Sequence, residues 1–354
     1  MRILHVITSL EIGGAQRLLA DLLPILAKTD EISLLVYKRV HTHFEEQIEK
    51  AGIKILSLDE HNFYTPWIIV RMKKIFKNYD VIHAHLFPTI YWASLACRGL
   101  KVKLFYTEHS TSNKRRDKSY FRFIERFMYA RYDKIISISR QTQDALTKWL
   151  KQKDSRFVVI ENGVNICHFA VTKKTIIPQS LIMVSRFAPA KDQETVIRAM
   201  QHIDSQAILR LVGDGENLEH CKLVAKECGV DNRVFFLGAC SDVAELIAES
   251  YIGIQSSKWE GFGLTAVEIM ACGKPVVATD VEGLKQVVDG AGELFHTGDE
   301  YKLANIVNRL LVDKEFYKTL SLRCQKRAAT YDIRIMAQKY KDLYYETSKL
   351  QDNG

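Results

Sequence analysis

The sequence predicts an α/β protein built of two doubly wound, Rossmann-like domains, and three observations carry that expectation. Short apolar runs alternate with helix-period segments from one end to the other, as βαβ units and a parallel sheet require. The chain has 354 residues, beyond the size at which a single core stops growing. A polar break from Val171 to Ser180, containing Lys173, Lys174 and Pro178, interrupts the rhythm near its middle.

In the first half, strands are expected at Ile3 to Ile7, Ile32 to Tyr37, Ile53 to Ser57, Val81 to Ala84, Leu104 to Thr107, Ile135 to Ile138 and Val158 to Ile160. Helices fall between them, the first two over about Ala15 to Ala27 and Thr42 to Ala51. After the break, strands are expected at Leu181 to Val184, Ile208 to Val212, Val234 to Leu237, Ile252 to Ile254 and Pro275 to Ala278. This places one domain over residues 1–170 and a second over 171–332. Beyond Tyr331 the apolar spacing Ile333, Met336, Tyr340, Leu343, Tyr344 predicts a last helix over 333–354, whose packing partner periodicity does not give.

Composition narrows the class. With 47% hydrophobic and 26% charged residues, 6 Pro and no low-complexity tract, the chain is that of a folded globular protein. The opening Met1 to Leu10 runs into Glu11-Ile12-Gly13-Gly14 without a small-residue cleavage site, so it reads as a first strand and predicts a cytoplasmic protein. Seven scattered Cys without a C-x-x-C pair argue against a disulfide framework and a zinc cluster. The net charge of +8 is partly local: Lys101, Lys103, Lys114, Arg115, Arg116, Lys118, Arg122, Arg126 and Arg131 crowd one stretch. This is either a solvated face or an attraction to an acidic partner. No nucleic-acid module accompanies it, and the aromatics Phe63, Tyr64, Trp67, Tyr120, Phe121 and Phe123 add to the case, so an anionic membrane surface is the better partner and nucleic acid is not expected.

In open α/β sheets ligands bind beyond the carboxyl ends of strands, so the strand-end loops are the places to look for chemistry. Gly13-Gly14 follows the first strand and opens a helix, either as a plain turn or as an approach to a phosphate. It is not a full dinucleotide fingerprint, and no P-loop is present, which excludes that kinase class and a dehydrogenase. Arg186 and Lys191 flank the turn after the first strand of the second half. They form a solvated loop or hold a diphosphate between a forked guanidinium and a point-charge ammonium. Gly213-Asp214-Gly215 and Leu237-Gly238 end the next two strands. The segment Glu260-Gly261-Phe262-Gly263-Leu264 reaches Glu268 with seven residues between the carboxylates. Its glycines expose backbone amides beside a helix start, where a phosphate or sugar can sit, although simple capping would also use such residues.

The string Glu260-Gly-Phe-Gly-Leu-x-x-x-Glu268-x-Met-Ala-x-Gly-Lys-Pro-Val resembles the E-x7-E motif of the retaining glycosyltransferases of family 4, the group 1 family. Gly13-Gly14-Ala15-Gln16, Thr107-Glu108-His109, Ile160-Glu161-Asn162-Gly163-Val164-Asn165, Arg186 with Lys191, Gly213-Asp214-Gly215 and Val234 to Gly238 support the match along nearly the whole chain. The resemblance implies a GT-B fold of two facing Rossmann-like domains, the last helix returning to the first. It implies transfer of a hexose-type sugar from a nucleoside diphosphate, with UDP expected, to an acceptor hydroxyl of a glycan or lipid-linked precursor, with retention. By the same resemblance Arg186 and Lys191 would bind the diphosphate, Glu268 the ribose, and Glu260 the sugar with the Gly261 to Leu264 backbone nearby. Gly13 and Gly14 would approach the phosphate, Gly213 would line the donor site, and His109 would stand near the sugar. Val281-Glu282-Gly283-Leu284-Lys285-Gln286 departs from the pattern: it lacks the usual Gly-Gly pair, and Gln286 stands where an acid is common. No metal-spaced carboxylate and histidine cluster and no D-x-D stands out, so neither a metal nor another cofactor is expected. The rival reading is a catalytically silent sugar-nucleotide-binding scaffold for a partner enzyme.

Overall fold

Among the described residues thirteen runs become strands, and their order in the sheets puts the candidate loops side by side. The computed structural model describes residues 1–11, 13–111, 114–171 and 174–352; Ile12 and Lys173 lie outside them, as does the side chain of Lys114. The chain divides into two units, Met1–Gly163 with Ile333–Gly354, and Val164–Asp332.

The first unit holds β1 (Arg2–Ile7), β2 (Glu31–Val36), β3 (Lys54–Ser57), β4 (Val81–His85), β5 (Lys103–Glu108), β6 (Lys134–Ser137) and β7 (Phe157–Val159). They form one seven-stranded parallel sheet in the order β3-β2-β1-β4-β5-β6-β7. The strand order reverses between β1 and β4, which makes their carboxyl ends the switch point of a doubly wound sheet. Because side chains alternate across a strand, Ile3, Ile7, Leu34, Val36 and Phe105 face one core while Leu4, Val6, Leu35, Ile82 and Tyr106 face the other. The last helix, Ile333–Asp352, completes the first of these cores. Its Ile333, Met336, Ala337, Tyr340, Leu343 and Tyr344 repeat at helical spacing and pack with Leu19, Leu22 and Leu26, so the C-terminal segment belongs to the N-terminal unit.

The second unit holds β8 (Ser180–Val184), β9 (Ile208–Val212), β10 (Val234–Gly238), β11 (Ile252–Gln255), β12 (Val276–Thr279) and β13 (Glu293–Phe295). Its six-stranded parallel sheet runs β10-β9-β8-β11-β12-β13, with the switch point between β8 and β11. The chain enters this unit at Val164, earlier than the 170/171 boundary read from the polar break. The reason is the short helix Ile166–Val171, which packs against the helices Leu264–Ala271 and Val243–Glu249. Strand β13 and the long helices Glu300–Val312 and Lys314–Ala329 have no counterpart among the expected elements. Among the described residues no helix is long and apolar enough to cross a membrane.

Candidate active site

In the second unit the loops after β8, β9 and β11 are laced into one surface. Ser185 donates its backbone N–H to Val212, Phe187 to Asp214 and Asn217 to Phe187. Gly213, at φ 136°, and Gly215, at φ 149°, occupy backbone space that side chains rarely adopt. A Cβ would meet the carbonyl oxygen of Ser185 at 2.0 Å from Gly213 and that of Phe187 at 2.3 Å from Gly215, so this close approach requires glycine. The Gln193 side chain donates to the Ser185 hydroxyl (3.1 Å) and the Arg186 carbonyl (2.9 Å), bracing the turn from below. Arg186 is exposed at its tip.

Lys191 is held differently from Arg186. Its Nζ makes an ion pair with Oε2 of Glu260 and donates to the Ser257 hydroxyl at 3.3 Å. A backbone bridge between Lys191 and Ser257, and the Lys258 amide donating to the Ala190 carbonyl at 2.8 Å, tie the two loops together. Glu260 also accepts from the Gly261 amide at 3.0 Å. The lysine and glutamate are 19% and 21% exposed, so the pair is reachable by a ligand yet poorly hydrated. The resemblance gave these residues separate tasks on phosphate and sugar; the structure shows them as one charge-compensated unit.

Gly263, at φ 91°, caps the helix Leu264–Ala271 without a side-chain hydrogen bond. Phe262 is buried against Tyr331, ring centroids 5.3 Å apart, which anchors the loop that carries Gly261, Phe262, Gly263 and Leu264. Glu268 lies in that helix and is 9% exposed. The start of the helix Glu282–Val288, after β12, backs the site: a Cβ on Gly283 would meet the Glu260 carbonyl oxygen at 2.1 Å. One glycine at 283 therefore suffices for the backbone contact here, although the family's usual pair is missing.

In the first unit, Gly13 and Gly14 follow β1 and open the helix Gly14–Leu26, which has no side-chain cap and no acidic residue in its first turn. The start of this helix keeps the positive potential that suits an anion. His109 follows β5 and is half-buried. Its neighbour Glu108 is buried, pairs with Arg116 at 3.1 Å and accepts from the Tyr129 hydroxyl at 2.8 Å. Burial pushes the Glu108 carboxyl above the ordinary carboxylate range, while Arg116 opposes the rise.

Behind His109 lies a cluster of buried histidines: His83 and His85, near the end of β4, and His5 of β1. His5 of β1 pairs in register with His83 of β4, and His85 pairs with Thr107 of β5, so all share one sheet face. Nδ1 of His5 meets Nε2 of His85 at 3.0 Å, and Nδ1 of His85 meets Nε2 of His109 at 3.2 Å. His83 meets the Tyr344 hydroxyl at 2.5 Å and Thr107 Oγ1 at 2.8 Å, and Thr107 also meets the Tyr340 hydroxyl at 3.1 Å. His5, His83 and His85 bring ring nitrogens within 4.8 Å of one another, the spacing of a metal trio. Their hydrogen bonds oppose that use, because both nitrogens of His83 and both of His85 are engaged. The signal in the sequence was a histidine in the buried run Ile3-Leu4-His5-Val6-Ile7 and the period-two pair His83-Ala84-His85.

The basic stretch is less free than its composition suggests. Arg115 pairs with Glu125 at 2.9 Å and stacks over Phe87, Arg116 is taken by Glu108, Arg122 lies over Trp149, and Arg131 over Phe127. Phe63 and Phe121 are partly buried in the core. What remains outward is apolar: Tyr120, Phe123, Ile124 and Phe127 on the helix Tyr120–Tyr129, with Phe123 74% exposed, beside exposed Lys118 and Arg126.

Two Rossmann-like units with these glycine-rich strand-end loops and the carboxylate pair define a GT-B glycosyltransferase. Residues 12–167 match the model of Glycosyltransferase Family 4, and residues 171–328 that of Glycosyl transferases group 1. The chain belongs to this family. It is 32% identical over 179 residues to the N-acetyl-alpha-D-glucosaminyl L-malate synthase of Bacillus anthracis, covering 49% of this chain and 47% of that protein, about half its length. It is 23% identical over 351 residues to the N-acetylgalactosamine-N,N'-diacetylbacillosaminyl-diphospho-undecaprenol 4-alpha-N-acetylgalactosaminyltransferase of Campylobacter jejuni, covering 92% of this chain and 94% of that one. Among solved structures, Anabaena HepE in complex with UDP and glucose superposes with a TM-score of 0.87 at 22% identity, over 98% of this chain and 100% of that chain.

Proposed function

We propose that this glycosyltransferase moves a hexose-type sugar from a UDP-sugar to a hydroxyl of a lipid-linked glycan, retaining the anomeric configuration. The observation that carries the reading is the Lys191–Glu260 pair at the β8/β11 switch point, with Glu268 in the helix that follows. Lys191 and Arg186 meet the diphosphate, Glu260 the sugar and Glu268 the ribose; Gly213, Gly261, Phe262, Gly263 and Leu264 shape the donor pocket. Gly13, Gly14 and His109 are assigned to the donor from the first unit on the family pattern. Charge develops on the departing diphosphate, and preorganised cations stabilise it most where they are least hydrated. The lipid-linked acceptor is supported by the name of the Campylobacter relative, and UDP by the HepE complex.

Incubation with UDP-, GDP- and ADP-sugars, read by nucleotide release, tests the class and distinguishes it from a silent scaffold. Release from UDP-sugars is expected, and no release from any donor, with UDP still bound, would favour the scaffold. We further expect turnover to survive EDTA, because Arg186 and Lys191 supply the counter-charge. Loss of activity in chelator, restored by Mg²⁺ or Mn²⁺, would refute a metal-free site.

We also propose that the helix Tyr120–Tyr129 seats the enzyme on the anionic inner face of the membrane, where a lipid-linked acceptor would be found. Its outward Phe123 and Phe127 would enter the interface, with Lys118 and Arg126 at headgroup level. Flotation with anionic vesicles should retain the protein at low salt and release it as salt rises. Phe123→Ser should weaken retention without lowering thermal stability, since that side chain is already exposed. Retention by neutral and anionic vesicles alike would remove the electrostatic part of the proposal.

A further inference from the structure

We propose that His5 and His85 are positioning residues for His109: a line of imidazoles from β1 through β4 to the end of β5 fixes His109 in a single tautomer, with Nδ1–H offered to the ligand. The inference rests on the proposed placement of His109 beside the transferred sugar. Buried strands of parallel sheets are ordinarily continuous aliphatic runs, so His5, His83 and His85 at the centre of this sheet need a reason. Burial pushes His5 down to about 3 and desolvation takes His109 down to about 4, with His85 well below its ordinary value. All three rings are therefore neutral near pH 7, and each carries one N–H.

That single proton makes the line directional. The bonds His5 Nδ1 to His85 Nε2 and His85 Nδ1 to His109 Nε2 each need one N–H facing one lone pair. If His85 donates from Nδ1, its Nε2 is a lone pair and must accept from His5 Nδ1; if it donates from Nε2, both neighbours reverse. Every ring thus bears its proton on the same nitrogen, Nδ1 throughout or Nε2 throughout. The far end selects between them. Among the described residues, the buried His5 Nε2 has no hydrogen-bond partner. As an N–H it would be an orphaned donor, which folded proteins rarely bury, so it is a lone pair and the protons sit on Nδ1. His109 then accepts from His85 and presents Nδ1–H, which makes no hydrogen bond among the described residues. His83 stands outside the line, its ring stacked on His85 at 4.3 Å and both nitrogens held by Tyr344 and Thr107.

Long-range ¹H–¹⁵N correlation spectra of the full-length protein labelled with ¹⁵N-histidine read the tautomers directly, and the wild-type spectrum alone carries the first test. Nδ1 protonation is expected at His5, His85 and His109. Different nitrogens protonated among the three would break the line, and Nε2 protonation throughout would overturn the donor assignment. His85→Phe keeps ring volume and removes both nitrogens. In the folded variant His109 should become a mixture of tautomers, with kcat down about tenfold and donor KM nearly unchanged. An unmoved His109 tautomer in that variant would overturn the proposal. His109→Ala separates the underlying reading: full activity there would remove His109 from the sugar site, whatever the spectra show.

Discussion

Replacing Glu260 with glutamine is expected to lower kcat about ten- to hundredfold, the cost of one charged hydrogen bond of about 1.5 to 3 kcal/mol. The proposed contact strengthens as the anomeric bond breaks and positive charge grows on the ring, so its loss is felt in the transition state rather than in donor binding. The structure adds a second consequence. Glu260 holds Lys191 in an ion pair, and glutamine would release that ammonium to the diphosphate. UDP affinity measured by calorimetry should therefore hold or tighten. Glu268→Gln is the contrast, because contacts to ribose hydroxyls are alike in ground and transition states. Its donor KM should rise about tenfold, UDP affinity should fall with it, and kcat should change little. If both variants fold and leave turnover and UDP affinity untouched, the active site lies elsewhere.

What could be read in advance was what repeats or forms a string. Strands such as Ile3 to Ile7 and Ile208 to Val212 are aliphatic because a parallel sheet buries both faces, and they stand where they were expected. The Glu260 to Glu268 string placed its loop and helix for the same reason, since Gly261 and Gly263 mark a turn before an apolar run. Strand β13, only Glu293–Phe295, is too short to show a period. The switch into the second unit at Val164 carries no compositional mark, because Ile166–Val171 is committed by its packing partners rather than by its own residues. Side-chain partnerships were further out of reach. Arg115 and Arg116 looked like surface charge until Glu125 and Glu108 were seen to hold them. The line from His5 to His109 joins residues far apart in sequence, brought together only by the β1-β4-β5 order.

Removing Lys191 should be the costlier change. Lys191→Met takes away a cation proposed to stabilise the departing diphosphate, and loss of one such preorganised group lowers kcat by about 10²- to 10³-fold. It also leaves Glu260, about four-fifths shielded from water, without its counter-ion. An unpaired carboxylate facing incoming phosphates repels them, so donor KM should rise as well. Adding Glu260→Gln to Lys191→Met removes that stranded charge, and the double variant should therefore lose less than the product of the two single losses. Coupling between contacting groups commonly amounts to about 0.5–3 kcal/mol, which is large enough to read in kcat/KM from a four-protein cycle. Strictly multiplicative effects would mean that the Lys191–Glu260 ion pair plays no part in the reaction. Wild-type kcat in Lys191→Met would remove this residue from the phosphate site and leave Arg186 as the cation to test next.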